Sequence, residues 1–205
     1  MDAPPLSSRS IVIAGLVWLI VALAAGASGA LEGLRPPAPQ LLVVGLTAAL
    51  VIGGIRSPRL RAWGLRVDLR WLVALHVTRF VGAEFLAFYR RGELPFAFAV
   101  PGAWGDMAVA AAAILVLASG PPRTRARRFI YGAWNVLGLA DLLFVVTTAA
   151  RLALANPDSM RALLRLPLSL LPTFLVPVLV ASHGLIAVRL AGRPSAAVDT
   201  PQAAP

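Results

Sequence analysis

An all-α, polytopic membrane helix bundle of about six transmembrane helices is the fold this sequence predicts. Three observations carry that reading. The 205 residues are 59% hydrophobic and only 14% charged, where a soluble domain carries about a quarter charged residues. The mean hydropathy is +0.79. Apolar runs approaching the roughly 20 residues of a bilayer crossing recur along the chain, without the alternating polar positions of a barrel strand. Arginines gather between those runs, as orientation in a membrane requires.

Composition also narrows the function classes. All 19 basic residues are arginine, and with the alanine, proline and glycine load this suggests a GC-rich bacterial genome. A net charge of +10 would suggest nucleic acid in a soluble protein, but arginines placed between apolar runs speak for a lipid bilayer and for no nucleic-acid partner. The absence of cysteine excludes disulfides, thiolate metal sites and a cysteine nucleophile.

The chain divides into a short cytoplasmic tail (1–10), a six-helix transmembrane domain (11–191) and a second cytoplasmic tail (192–205) expected to be disordered. Ile11 to Ala30 is the first apolar run and is read as a retained helix, although its small residues from Gly26 to Ala30 also resemble a signal-peptide cleavage site. Three prolines in the linker Gly33 to Gln40 break it before the second span, Leu41 to Ile55. Arg56 to Arg70 holds five arginines with Asp68 alone against them, which makes it the main topological marker. The third span, Trp71 to Arg91, carries His76, Arg79 and Glu84 inside its apolar run. The stretch Arg90 to Asp106 reads as a loop able to dip into the interface. A short fourth span follows from Asp106, or from nearer Pro101, to Ala118. Pro121 to Arg128 is the second arginine loop, Phe129 to Ala150 the fifth span, and Arg151 to Arg165 a mixed loop. Leu166 to Leu190 is the sixth span, which Pro167, Pro172 and Pro177 should kink. Six spans place both arginine-rich loops on one side. The positive-inside rule makes that side, and both termini, cytoplasmic in a bacterial inner membrane.

Depth then follows from the helix rise of about 1.5 Å per residue. His76 and His183 each lie six residues from a flanking arginine, about 9 Å in from the cytoplasmic edge, with Asn135 at about 10 Å. Glu84 and Asp141 lie at about 20 Å, and Arg79 falls between the two levels. The expected pocket therefore has an inner layer of His76, Asn135 and His183 and an outer layer of Glu84, Asp141 and Asp106.

Each group has a structural and a chemical reading. Two histidines at one depth can hydrogen-bond neighbouring helices, serve as axial haem ligands, or bind zinc with an aspartate. Arg79 with Glu84 or Asp141 can be a buried ion pair fixing helix register or a proton or substrate relay. Asp106 can simply cap a helix start. Gly132, Asn135, Gly138 and Asp141 recur every third residue, a small and polar row suited to close helix packing.

Arg79 with Glu84, Leu94-Pro95, Gly105-Asp106, Trp134-Asn135 and the block Leu171 to Pro177 followed by His183 and Arg189-Leu190 resemble a family of bacterial multi-pass membrane proteins with no assigned activity. The resemblance covers about residues 76–190 and implies fold and location only; it offers no counterpart of His76. The leading function class is small-solute or ion handling, or a subunit of a membrane complex, through Arg79, Glu84, Asp106, Asn135, Asp141 and His183. The rival class is a metal- or haem-dependent membrane enzyme with His76 and His183 as ligands. Cofactor and enzymatic status stay open, and membrane-protein partners or self-association are compatible with either class.

Overall fold

The computed structural model describes residues 7–192. The expected tails lie outside them except for Ser7–Ser10 and Gly192. Among the described residues the chain is all α-helical, with α1 (Ser8–Ala27), α2 (Ala38–Arg56), a short α3 (Pro58–Arg66), α4 (Leu69–Leu75), α5 (Ala83–Arg90), α6 (Phe96–Ala118), α7 (Arg125–Ala155) and α8 (Val176–Ala191). Six helical stretches are long and apolar enough to cross a membrane, which points to a membrane location. The third of them runs through α4, a 3₁₀ segment (His76–Gly82) and α5.

Local chemistry starts and stops these helices. Asp68 accepts a hydrogen bond from the Arg70 amide at 2.9 Å, and Thr124 accepts one from the Arg127 amide at 3.3 Å, satisfying first-turn donors of α4 and α7. Gly92 and Gly120 follow the ends of α5 and α6 with φ of 74° and 84°, a conformation that side chains with a Cβ disfavour.

The fourth and sixth spans depart furthest from the sequence reading. The fourth begins at Phe96 rather than near Asp106, so the stretch expected as a dipping loop is mostly helix. Pro101 lies near the start of α6 and withholds a single hydrogen bond there. The sixth begins at Leu171, with Pro167 in the turn before it. Its first turn is a π-helix (Leu171–Leu175). Pro177 has no N–H to give the Thr173 carbonyl, and the Trp18 indole Nε1 donates to that carbonyl instead, at 2.9 Å. An edge contact between Trp18 and Phe174 adds to this attachment of α1. Most of the remaining α1 surface is exposed and apolar, including Val12, Leu16 and Ile20.

Arg128 Nη2 donates to the Leu190 and Gly192 carbonyls, Trp63 Nε1 donates to Ser8 Oγ, and Gly64 of α3 packs on Leu185 of α8. The start of α1, the arginine-rich α3, the start of α7 and the end of α8 therefore gather at one end of the bundle. At the other end, Arg35 pairs with Asp158 at 3.1 Å, and Arg165 reaches Glu32 at 3.4 Å and Glu93 at 3.9 Å. These exposed pairs tie three connections together and each contributes little alone. Between the ends, the third span, α6, α7 and α8 enclose the core, with Phe85, Phe98, Ala103, Leu142 and Leu179 all buried. Small residues at these contacts allow the close approach that helix association in lipid depends on.

Candidate functional site

The 3₁₀ segment is what assembles the polar core. At three residues per turn, positions three apart eclipse one another. His76, Arg79 and Gly82 thus form one column, and all three are buried. An α-helix would turn the same residues away from a common line.

Arg79 is 1% exposed and has three partners. Its Nε donates to Asp106 Oδ1 at 2.6 Å, its Nη1 to the Gly138 carbonyl at 2.7 Å, and its Nη2 to Asp141 Oδ2. The planar guanidinium suits this arrangement because its donors leave in a fixed fork. Three glycines make room for it. A Cβ on Gly82 would sit 2.6 Å from Asp106 Cβ, one on Gly105 would occupy the place of Asp141 Oδ1, and one on Gly138 would sit 3.0 Å from His183 Cε1.

Next to this cluster stand the histidines, both fully buried. Their ring centroids are 4.2 Å apart, and Trp134 meets the His76 ring edge-on at 5.0 Å. Asn135 Nδ2 donates to the His183 carbonyl at 3.2 Å, which turns its Oδ1 toward His183 Nδ1 at 2.8 Å. An amide oxygen only accepts, so Nδ1 carries the ring proton. Ser182 spends its single hydroxyl proton on the Leu179 carbonyl at 2.8 Å and so accepts from His76 Nε2 at 2.9 Å. The two rings are therefore opposite tautomers. His76 Nδ1 and His183 Nε2 are left as buried lone pairs without a hydrogen-bond partner among the described residues. The chain has two histidines in all. At a pH where both rings are neutral, the ¹⁵N spectrum of histidine-labelled protein, carrying no polyhistidine tag, is thus expected to show one Nδ1–H and one Nε2–H ring. Two rings of the same tautomer would refute the assignment.

The sequence-derived site residues fall into place unevenly. His76, Asn135 and His183 touch, and Asp106 and Asp141 both hold Arg79. Asp106 lies within α6 and not at its start, so it does not serve as the expected cap. Glu84 is exposed and does not pair with Arg79. The two histidine rings stand with centroids 4.2 Å apart, which leaves no gap for a macrocycle between them. Among the described residues no three His, Asp or Glu side chains group to hold a metal ion, and a catalytic zinc takes three protein ligands. Ser182 and Gly82 are site residues absent from the sequence reading, and Gly105 enters it only in the pair with Asp106. The signals for the first two are adjacency to His183 and a three-residue step from Arg79.

A cavity of about 300 Å³ opens beside the cluster, between α2, α7, α8 and the 3₁₀ segment Pro157–Leu164. Its walls are apolar, among them Val43, Phe98, Val145, Met160 and Leu175. Arg79 and Asp106 line its deep end, and Asp106 Oδ2 accepts no hydrogen bond among the described residues. Gln40, at the start of α2, lines it toward the end away from the arginine loops. Asp141 does not line this cavity; it stands on the far side of Arg79, packed on Gly105.

Fold and site together define a six-helix bundle with a buried guanidinium–dicarboxylate cluster, a histidine pair beside it and an apolar cavity above. The chain belongs to the family described as Domain of unknown function (DUF8737), whose model matches residues 36–191, from just before α2 to the end of α8. That description accords with the lack of an assigned activity in the resemblance drawn from the sequence. No curated protein and no solved structure matches the chain.

Proposed function

We propose that this chain is a multi-pass protein of the bacterial inner membrane, with its arginine-rich end and both termini cytoplasmic, that binds a small organic cation in the cavity. The charge count at the deep end of the cavity carries the reading. Arg79 contributes one positive charge and Asp106 with Asp141 two negative ones, so one formal negative charge is uncompensated. Such a charge in hydrocarbon is costly, by roughly 2.5–3.5 kcal/mol on insertion scales, unless a countercharge or a proton joins it. The apolar walls suit an organic body, and the free Asp106 oxygen suits a cationic or hydrogen-bond-donating head. Small-solute or ion handling is the function class this supports. Glu84, a carboxylate on the exposed face of the third span, is the observation that favours a membrane-complex subunit instead.

The test is binding of a radiolabelled short-chain alkyltrimethylammonium to the protein in nanodiscs, with empty nanodiscs as the partition control. Saturable binding is expected, weakened by about tenfold or more in Asp106→Asn, the factor that 1.4 kcal/mol represents. A chain-matched alkyl sulfonate should not bind saturably. Saturable sulfonate binding without ammonium binding would refute the sign of the site.

A further inference from the structure

The cluster and the histidine pair are close enough to share one charge. His183 Nε2 lies 3.4 Å from the point where a Gly138 Cβ would stand, and the Gly138 carbonyl accepts from Arg79 Nη1 at 2.7 Å. The groups facing this space are His76 and Arg79 from the third span, Asp106 from α6, Asp141 with neutral Asn135 from α7, and His183 with neutral Ser182 from α8. From α2 the cavity receives apolar side chains and uncharged Gln40. With both rings neutral, the inventory is one cation against two anions, together with two lone pairs that no donor among the described residues meets.

Resting on the organic-cation reading, we propose that this site exchanges its solute for a proton: one positive charge occupies it at a time, either a cationic head at Asp106 or a proton on the lone pairs of His76 Nδ1 and His183 Nε2. With either one bound the cluster is neutral. With both it carries a net positive charge, and with neither a net negative one, and each is disfavoured in a low-dielectric interior. The step is a proton transfer alone. When the solute enters, the imidazolium N–H bond breaks, its electron pair stays on the ring nitrogen and the proton leaves to water; no electron changes hands. Linkage makes the coupling reciprocal, since a solute that expels a proton binds more tightly as protons are withdrawn.

Proton release on binding, read with a pH dye in weakly buffered nanodiscs, tests the exchange. About one proton should leave per alkyltrimethylammonium bound, and the apparent affinity should rise about tenfold per pH unit while the proton occupies the site. The double variant His76→Gln/His183→Gln should bind the cation with little proton release and little pH dependence. Binding by the natural protein without release, or full release by the double variant, would overturn the exchange and leave the organic-cation reading standing. Absence of saturable binding would overturn both. Where the double variant does not fold, the ¹⁵N spectrum of the natural protein decides: saturating cation must convert protonated imidazole resonances to neutral ones, and an unchanged spectrum overturns the proposal.

Discussion

Arg79→Met is expected to cause the largest loss of folded protein of any single substitution in the bundle. Methionine fills much of the same volume but leaves Asp106 and Asp141 facing each other with no cation between them. Breaking a buried ion pair by removing one partner costs about 3–5 kcal/mol, because the remaining charge stays buried and uncompensated. Here two carboxylates are stranded, and the Gly138 carbonyl loses its side-chain donor as well. Asp141→Asn should behave in the opposite sense, since Arg79 and Asp106 then balance one to one. Its effect should be small. The contrast is readable from the monodisperse fraction on size exclusion and from unfolding in a denaturing detergent. In the combined variant Arg79→Met/Asp106→Asn/Asp141→Asn much of the loss should return, which is non-additivity of the kind a shared cluster produces. Arg79→Lys should fall between, keeping the charge but not the fork that serves three acceptors. Equal damage from Arg79→Met and Asp141→Asn would mean the charges are not balanced as described.

The reason the sequence exposes some of this and not the rest lies in which coordinate is being read. Depth along a helix is nearly fixed by rise per residue, and so His76, Asn135 and His183, set at about the same distance from flanking arginines, do meet. Rotation about the helix is not fixed in the same way. Glu84 and Asp141 are at similar depth, yet Glu84 is exposed and Asp141 holds Arg79. The decisive rotation comes from the 3₁₀ segment, and an apolar run has no periodic signal for it when polar residues are this few. Asp106 reads as a helix start because glycine and proline mark the stretch before it as a loop; α6 instead begins at Phe96, passes through Pro101 and puts the carboxylate inside the bundle. The cavity is the least legible feature. It depends on the first connection and α2, whose residues carry no charge pattern that would aim them at Arg79.

Gly82→Ala is expected to be the most damaging of the glycine substitutions, at about 1–3 kcal/mol, the range for overpacking a close interface. The added methyl would lie 2.6 Å from Asp106 Cβ. Carbon atoms at ordinary contact stand about 3.5–4.0 Å apart. Asp106 Cβ is fixed to the α6 backbone, so no side-chain rotation relieves the clash and the two spans must separate. Separation lengthens the 2.6 Å bond from Arg79 to Asp106, and the substitution should therefore reduce cation binding together with stability. Gly105→Ala meets an oxygen at the end of the Asp141 side chain, which can swing aside, but only by leaving Arg79. The informative control is Gly132→Ala. It belongs to the same three-residue row as Asn135, Gly138 and Asp141, yet nothing stands within 4 Å of its would-be Cβ. Alanine there should be neutral or slightly stabilising, since it favours the helix over glycine by about 1 kcal/mol. Unfolding measured for Gly82→Ala, Gly105→Ala and Gly132→Ala side by side thus separates a steric seat for the arginine cluster from a general intolerance of larger residues. If Gly132→Ala proves as harmful as Gly82→Ala, the close approach of α6 to the third span is not what holds Asp106 on Arg79.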